Sequence, residues 1–410
     1  MPAMSIRALP VVMIAVWGTL SPVRQVAAPE WPLTIQRAGT PAGANSAMPQ
    51  VTVSSRGVLL SWIEQDGQVA TLKYSERKAG AWSPARVAQS GTNWFVNWAD
   101  VPSVLRLESG TLVAHWLQKS GSDTYAYDVM LAYSGDDGKT WSAPVRPHSD
   151  GTRTEHGFAS LFQAPGGGLG LVWLDGRAMQ SGNHGASHSP GEMSVRFGSF
   201  GTDWKQSLET PVDLRVCECC PTAVAVTSDG PIVAYRDRSP NEVRDIYVSR
   251  LDNGKWTPGV AVNADNWQIA ACPVNGPSLS ASGREVAVAW FTGAGDQPRA
   301  LAAFSSDSGR TFGAPIRLDD VASLGRVDVE LLRDGSAAAA YVEFADQHAQ
   351  FRMRRVDRKG SRSSPLTIAE IAGTRSSGYP RVALSGREIV FAWTDRQGTP
   401  QVHTAVAVLR

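Results

Sequence analysis

The chain lacks any excess of charge of one sign. Its 39 lysines and arginines nearly balance 38 aspartates and glutamates, which leaves a formal net charge of +1. This balance provides no strongly positive surface for nucleic acid or for an acidic membrane. Charged residues make up only 19% of the sequence, whereas 39 glycines and 25 prolines supply many turns. Because helical periodicity is absent as well, the composition favours a turn-rich, all-β protein.

Long apolar runs are also scarce, and the one at the amino terminus is short. The segment MPAMSIRALPVVMIAVWGTL carries a single Arg7 before an apolar stretch too brief to favour a membrane-spanning helix. This pattern is typical of a signal peptide, so we assign residues 1–28 to the peptide and residues 29–410 to one domain. We therefore predict an exported protein, periplasmic or secreted, with no stable membrane anchor after processing. A disordered extension is the alternative.

A strand that ends in an aromatic residue recurs along the domain. It is written VLLSW, LVAHW, LGLVW, PIVAY, VAVAW, AAAAY and IVFAW. The copies are spaced by roughly 50–60 residues, a period that fits one four-stranded blade of a β-propeller. We count seven blades, with six as the alternative if one unit is irregular.

The seventh unit stops after its third strand, VHTAVAVL. The segment WPLTIQR, which begins at Trp31, has the character of an isolated fourth strand. We expect it to complete the seventh blade. Strands from both ends of the chain would then close the ring and remove two exposed sheet edges.

Two nearly identical turns join third and fourth strands, SGDDGKTW in the second unit and SSDSGRTF in the fifth. The aspartate can accept backbone N–H groups, the glycine can adopt a positive φ, and the aromatic ring can pack under the hairpin. The residues concerned are Ser134, Asp136, Gly138, Thr140 and Trp141, and Ser305, Asp307, Gly309, Thr311 and Phe312. This pattern is the Asp-box, and the chain resembles the sialidase (neuraminidase) superfamily of β-propellers with BNR repeats.

Functional residue types concentrate on the face opposite these turns. The segments that lead into first strands meet there with the loops from second to third strands, at the end of a rigid scaffold. The candidates are Glu155, His156, Asp175 and Arg177 in blade three, Arg238 and Glu242 in blade four, Asn275 in blade five, and Tyr379, Arg381 and Arg396 in blade seven. We predict one mouth that binds a glycan or another small acidic ligand. The alternative is that neighbours such as Arg236 and Asp237 only lock blade to blade.

The resemblance implies a role for each candidate. Sialidase-like enzymes hold a carboxylate with three arginines, and use an aspartate as acid/base and a tyrosine, activated by a glutamate, as nucleophile. The clamp would be Arg177, Arg238 and Arg381, with Arg396 as a substitute and with Glu155, His156 and Asn275 as further substrate contacts. Tyr379 would be the nucleophile beside Glu242 or Glu155, and Asp175 or Asp100 would be the acid. Such an exo-glycosidase, of the exo-α-sialidase type, requires no cofactor.

The chain has only four cysteines, and all lie at the start of first strands in two adjacent blades: Cys217, Cys219, Cys220 and Cys272. In an exported protein an even number usually means disulfides, and a link to Cys272 would clamp blades four and five. Thiolates that converge with His156, His184 or His188 would instead bind copper or zinc. A redox-active pair is the third alternative.

The sequence leaves three functions open. The first is glycoside hydrolysis through the Arg-rich mouth. The second is a non-catalytic propeller that binds a glycan or a protein partner on the same face, which fits the lack of an Arg-x-Pro segment in the first unit. The third is a metal- or redox-linked periplasmic protein built around the cysteines.

Overall fold

The computed structural model describes residues 30–179 and 191–410. These residues form seven antiparallel sheets, each in contact with the next. The predicted seven-bladed β-propeller is therefore confirmed, and the alternative of six blades is wrong. The predicted signal peptide, His184 and His188 lie outside the described residues. No helix in the described part of the chain has the length and hydropathy that a transmembrane segment needs.

The strands follow one another from blade to blade. β1 (Gln36–Ala38) comes first, and blade one follows with β2 (Ser46–Ser54), β3 (Gly57–Asp66), β4 (Val69–Lys78), β5 (Ala81–Trp82) and β6 (Arg86–Gly91). Blade two comprises β7 (Ser103–Arg106), β8 (Leu112–Lys119) and β9 (Tyr127–Ser134). Blade three comprises β10 (His156–Gln163), β11 (Leu169–Asp175), β12 (Ser194–Phe200) and β13 (Gln206–Asp213). In blade two, an isolated bridge between Leu131 and Val145 stands in place of a full fourth strand.

The remaining blades repeat the same order of first, second, third and fourth strand. Blade four comprises β14 (Ala223–Thr227), β15 (Gly230–Arg236), β16 (Ile246–Asp252), β17 (Lys255–Trp256) and β18 (Val260–Ala261), and blade five comprises β19 (Ser278–Ser282), β20 (Glu285–Thr292), β21 (Arg299–Ser305) and β22 (Ile316–Arg317). Blade six comprises β23 (Ala322–Leu331), β24 (Ala337–Ala345), β25 (His348–Val356) and β26 (Leu366–Ile371). Blade seven comprises β27 (Arg381–Ser385), β28 (Glu388–Asp395) and β29 (Gln401–Val408). Two short 3-10 turns span Ala294–Asp296 and Arg375–Ser377.

The amino-terminal strand closes the ring, as predicted. β1 pairs with β29 in an antiparallel register that sets Gln36 opposite Val406 and Ala38 opposite Thr404. The strand is shorter than the sequence suggested and begins at Gln36, because Trp31 packs instead against the hydrophobic cluster of blades six and seven. The ring is thus joined by backbone hydrogen bonds between the two ends of the domain.

The recurrent aromatic residues form the layers between blades. They belong to the largest fully buried side chains of the described residues, and they are Trp62, Trp116, Trp173, Tyr235, Trp290, Tyr341 and Trp393. Each sits near the end of a second strand, where one face of a blade packs on its neighbour. Because an aromatic side chain buries about 150–250 Å², one such residue per unit supplies much of the interface between blades.

Both Asp-boxes adopt the predicted hydrogen-bonded turn. Asp307 Oδ1 accepts the backbone N–H groups of Arg310 and Thr311, each at 2.9 Å, and its Oδ2 accepts the Thr311 hydroxyl at 2.6 Å. Gly309 has a φ of +79°, and a Cβ there would collide with Ile232 of the preceding blade. The first box repeats this arrangement around Asp136, whose hydrogen bonds, led by that from the Thr140 N–H, lower its pKa to about 2. The boxes therefore fix each hairpin against the adjacent blade.

Replacing Asp307 with alanine is expected to lower the free energy of unfolding by about 1–2 kcal/mol, because two backbone N–H groups and a hydroxyl lose their acceptor. Urea unfolding of the full chain measures this change. Glu108→Ala, at an exposed hairpin turn in blade two, is the matched control and should leave stability within about 0.5 kcal/mol. Equal stabilities of the two variants would contradict the structural role of the box.

Candidate functional site

A cavity of about 430 Å³ opens where blades two to five meet. Its walls are segments that lead into first strands and loops from second to third strands, which is the face proposed from the sequence. Such concave sites with a few polar groups are where small ligands usually bind. The side chains with aromatic, polar or charged groups are Asn97, Trp98, Tyr125, Tyr127, Glu155, Phe158, Glu218, Cys219, Arg244, Cys272 and Arg375.

Two buried carboxyl groups share one tyrosine hydroxyl at the edge of this cavity. The hydroxyl oxygen of Tyr127 lies 2.7 Å from Glu155 Oε1 and 3.0 Å from Asp100 Oδ2. A phenol has one proton and donates to one carboxylate only. Both contacts are hydrogen bonds only if one of the carboxyl groups is protonated and donates to the phenol oxygen. The group of Tyr127, Glu155 and Asp100, called the tyrosine–carboxyl triad below, is therefore arranged to share an extra proton.

The pKa values of the triad agree with this count of protons. Burial raises the pKa of Asp100 to about 7, although hydrogen bonds from the Phe158 N–H and from Tyr127 act in the opposite direction. Burial also raises the pKa of Glu155 well above its usual value, and that of Tyr127 well above 10. Near neutral pH, Asp100 is close to its midpoint, and the raised pKa of Glu155 favours its protonated form. The triad can therefore both donate and accept a proton.

A β-bulge in β10 positions Asp100. The register of β10 shifts between Gly157 and Ser160, and Phe158 adopts a φ of +51°. This turns the Phe158 N–H towards Asp100 Oδ1, at 2.7 Å. A Cβ on Gly157 would collide with Asp100 Oδ2 and with the ring of Tyr127, so the close approach requires glycine. An unfavourable backbone angle is thus maintained where the carboxyl groups meet.

Aromatic rings give the cavity a flat wall. The ring of Trp98 stacks on Tyr379 with centroids 5.9 Å apart, and the guanidinium carbon of Arg326 lies 5.6 Å from the Trp98 ring centre. Tyr127 stacks on Phe95 at 4.1 Å, which fixes the orientation of its hydroxyl. Flat aromatic faces bind the apolar faces of ring-shaped ligands.

Arg238 and Glu242 belong to a closed ion-pair square beside the cavity. Arg238 contacts Glu218 and Glu242 at 2.5 and 2.6 Å, and Arg244 contacts the same two carboxylates at 2.7 and 2.8 Å. Both guanidinium groups are largely buried, and each is matched by carboxylates of the chain itself. Glu242 therefore lies beside arginines and not beside Tyr379, because the i,i+4 spacing of Arg238 and Glu242 pairs them locally.

Asp175 and Arg177 form a second internal network, between blades two and three. Arg177 Nε donates to Asp175 Oδ1 at 2.7 Å, and its Nη2 donates to Glu209 Oε1 at 2.6 Å. Asp175 also accepts the indole N–H of Trp173 at 2.8 Å. Asp175 is fully buried, and burial alone would raise its pKa. The hydrogen-bond donors around the carboxylate outweigh burial, so its pKa is lowered. This carboxylate is held ionised inside the blade rather than in the cavity.

His156 stacks on His148 beside this network, with ring centroids 3.8 Å apart and planes within 7°. Asp150 Oδ2 lies 3.1 Å from His148 Nδ1 and 3.2 Å from His156 Nε2. Burial lowers the pKa of His148 to about 3, whereas the hydrogen bond with Asp150 overcomes burial and raises that of His156. Parallel rings do not aim their lone pairs at one point, so the pair suits a structural network. The structure thus places His156 away from the cysteines.

The candidates from blade seven and Asn275 lie around the central channel. Tyr379 is buried and donates its hydroxyl to the Val274 carbonyl at 2.7 Å. Arg381 packs over the Tyr379 ring at 5.3 Å and lines a separate channel cavity of about 220 Å³. Arg396 donates to the Ser376 carbonyl at 2.6 Å, and Asn275 Oδ1 accepts the Arg326 N–H.

The candidate residues are therefore distributed over several groups. The structure brings together Arg238 with Glu242, Asp175 with Arg177, and Tyr379 with Arg381, but these pairs do not form one clamp. Among the candidates within the described residues, only Glu155, Cys219 and Cys272 line the main cavity.

Sequence reasoning missed Tyr127, Tyr125 and Trp98. The available signal was the alternating pair YAY at the start of a third strand, directly across from the TEHGF segment that carries Glu155.

The structure brings all four cysteines together as free thiols, with no disulfide among them. Cys217 Sγ lies 2.9 Å from Cys220 Sγ and 3.8 Å from Cys219 Sγ, and the Cys272 thiol makes a hydrogen-bond contact with Cys219. Cys217 and Cys220 are buried, whereas Cys219 is half-buried and Cys272 is exposed. The Nη1 atom of Arg244 lies 3.5 Å from Cys217 Sγ.

The thiols differ in acidity. Burial raises the pKa of Cys217 to about 12 and that of Cys219 well above its usual value. Burial alone would do the same to Cys220, but hydrogen bonds from Cys217 and Cys219 hold its pKa well below the usual value. Cys220 is therefore the most acidic of these three thiols.

No protein-family model and no curated sequence matches the chain. Solved structures are similar in fold. A protein of unknown function from Dyadobacter fermentans has a TM-score of 0.51 at 14% identity, over 94% of this chain and 98% of its own. The polysaccharide lyase Uly1 has a TM-score of 0.51 at 9% identity, over 96% and 94%. The K499G mutant of NanB sialidase from Streptococcus pneumoniae has a TM-score of 0.47 at 9% identity, over 92% and 94%. At such identities, the two similarities with a TM-score of 0.51 show the fold alone.

Proposed function

We propose that this chain is an exported, sialidase-like propeller that cleaves a glycosidic bond of an acidic sugar over the tyrosine–carboxyl triad. The observation that carries the proposal is the sharing of one tyrosine hydroxyl by two buried carboxyl groups beside an open cavity. A tyrosine with an adjacent glutamate and an aspartate is the set of residue types that the Asp-box resemblance implies. The residues are Tyr127, Glu155 and Asp100, which replaces the assignment of Tyr379, Glu242 and Asp175.

The cavity offers groups for recognition as well as for chemistry. Trp98 and Tyr125 present aromatic surface on which a sugar ring can stack. Arg375 is exposed on the wall and can pair with the carboxylate of an acidic sugar. The similarity in fold to a polysaccharide lyase is compatible with a carbohydrate ligand, but the proposal rests on the cavity.

In the proposed reaction, the carboxyl groups take separate roles, the reverse of those that the resemblance implies, because the pKa of Glu155 is raised well above its usual value and that of Asp100 to about 7. Protonated Glu155 gives its proton to the leaving glycosidic oxygen while the bond from that oxygen to the anomeric carbon breaks. Ionised Asp100 accepts the proton of Tyr127, whose oxygen forms the new bond to the anomeric carbon. A neutral nucleophile of this kind avoids repulsion with an anionic sugar, and water later releases the product.

Glu155→Gln and Tyr127→Phe are each expected to lower kcat about a thousandfold with little change in KM, because the proton donor or the nucleophile is lost. Release of the aryl group from a panel of aryl glycosides, including a sialoside and uronides, measures this. Tyr133→Phe is the matched control, because Tyr133 lies on the same strand but stacks on Trp204 away from the cavity. Turnover by Glu155→Gln equal to that of the control would refute the proposal.

Binding without turnover is the second candidate function. It is favoured by the ion-pair square, because Glu218 and Glu242 already neutralise Arg238 and Arg244 and leave no free three-arginine clamp. A glycan array and a pull-down would then detect a glycan or protein ligand, with no product from any glycoside in the panel.

A further inference from the structure

The four cysteines form a cluster at the junction of blades four and five. Cys217, Cys219 and Cys220 precede the first strand of blade four, and Cys272 precedes that of blade five. Their positions are fixed by backbone hydrogen bonds, since the Cys217 N–H donates to the Arg236 carbonyl and the Val216 N–H donates to the Met193 carbonyl. The three sulfur atoms of blade four all lie within 4.8 Å of one another. This is a small, rigid group of soft ligands.

The sulfur separations are close to those of ligands that share one metal ion. Bonds of about 2.3 Å from a tetrahedral zinc ion place sulfur atoms about 3.8 Å apart. The separation of Cys217 and Cys219 is already 3.8 Å. Cys217 and Cys220, at 2.9 Å, are closer than two non-bonded sulfur atoms normally approach. An ion among the three sulfurs would relieve this contact with a movement of about 1 Å.

Positive charge lies next to the cluster. Arg244 Nη1 contacts Cys217 Sγ at 3.5 Å. Arg236 is fully buried and donates hydrogen bonds to the carbonyl oxygens of Asn275, Arg244 and Phe291. Three thiolates around a monovalent ion leave a net charge of about −2, which Arg236 offsets in part, since Glu218 and Glu242 already pair with Arg244.

We propose that Cys217, Cys219 and Cys220 bind one thiophilic ion with a filled d shell, Cu(I) or Zn(II), and that Cys272 is available as a fourth ligand. Thiolates select these ions over oxygen-seeking cations such as Mg²⁺. Three thiolates suit Cu(I), whereas Zn(II) prefers four ligands. Because Cys219 and Cys272 also line the cavity, the ion would lie at the wall of the ligand-binding space. This site is independent of glycosidic bond cleavage.

The test is anaerobic titration of the reduced full-length protein with Cu(I) or with Zn(II), each against a chromogenic chelator. We expect one equivalent to bind, and Cys220→Ser to weaken binding about 100-fold or more. Cys272→Ser is the discriminating variant: unchanged Cu(I) affinity supports a three-sulfur Cu(I) site, and a loss of Zn(II) affinity supports a four-sulfur zinc site. Circular dichroism and a melting curve of each variant establish that it is folded.

Other outcomes would overturn the proposal. One is failure of the reduced wild-type protein to take either ion from the chelator, a result that needs no variant. Another is metal binding that is equally tight in Cys220→Ser. A third is isolation of the protein with two disulfides, between Cys217 and Cys220 and between Cys219 and Cys272. If the protein is reduced and metal is then added, these disulfides would have to form again in place of metal binding. Thiol counting under denaturing conditions, with metal analysis of the same sample, distinguishes these states.

Discussion

Replacement of Arg236 by methionine is expected to lower the free energy of unfolding by about 4 kcal/mol, because three carbonyl groups, two of them buried, lose their donors. The guanidinium group donates to the Asn275 carbonyl from Nε and Nη2, at 3.0 and 2.8 Å, and to the carbonyls of Arg244 and Phe291 at 2.6 and 2.7 Å. It also lies 5.0 Å from the ring centre of Trp267. One side chain of blade four thereby fastens two segments of blade five.

Urea unfolding of wild type and Arg236→Met measures this loss. Arg236→Lys separates geometry from charge, since lysine keeps the charge but cannot present the planar group that reaches all three carbonyls, and we expect about half of the loss. Arg284→Met, at an exposed site with one contact of 3.5 Å to Asp229, is the control and should change stability by less than about 0.5 kcal/mol. If Arg236→Met were as stable as this control, Arg236 would have no role in joining the blades.

The fold could be predicted because its determinants repeat. An aromatic residue at the end of each second strand is buried in every unit for the same reason, so each copy supports the others. The Asp-box is likewise local: the residues that bond to Asp307 stand within four positions of it. Ring closure by β1 followed from counting strands, because the seventh unit lacked a fourth strand and the amino terminus had one unpaired.

The site was harder to predict because its contacts cross blade boundaries. Tyr127 meets Glu155 and Asp100 only because a bulge at Gly157 and Phe158 turns the backbone of β10. Nothing in the local sequence marks that bulge.

The arginines illustrate the converse. In the sequence, Arg238 could equally be part of a ligand-binding clamp or of an internal ion pair. Only the three-dimensional positions of Glu218 and Glu242 show that it belongs to an ion pair. The cysteines could be placed near one another from sequence, since adjacent first strands begin near the same axis, but their chemistry depends on distances that spacing does not determine.

Asp100→Asn is expected to remove a large part of the pH dependence of stability. The pKa of Asp100 is raised from 3.8 to about 7 by burial, so the folded protein binds its proton more tightly than the unfolded chain does. The stabilisation by this proton is complete below pH 4 and is lost as the pH rises through about 7. Wild type should therefore lose about 3 kcal/mol more than the variant between pH 5 and pH 8. Urea unfolding at both pH values measures the difference.

The asparagine variant preserves the contacts around the site, since its amide oxygen can accept the Phe158 N–H and its amide nitrogen can donate to Tyr127. Glu155 faces the same hydroxyl, and its pKa falls somewhat in the variant because the charge of Asp100 that helps to raise it is removed. Asp123→Asn, at an exposed position in the loop before β9, is the control and should keep the wild-type pH dependence. Parallel stability curves for wild type and Asp100→Asn would show that Asp100 titrates normally. Asp100 would then be ionised from about pH 4 upwards and would be a weaker base for the Tyr127 proton than the proposed reaction uses.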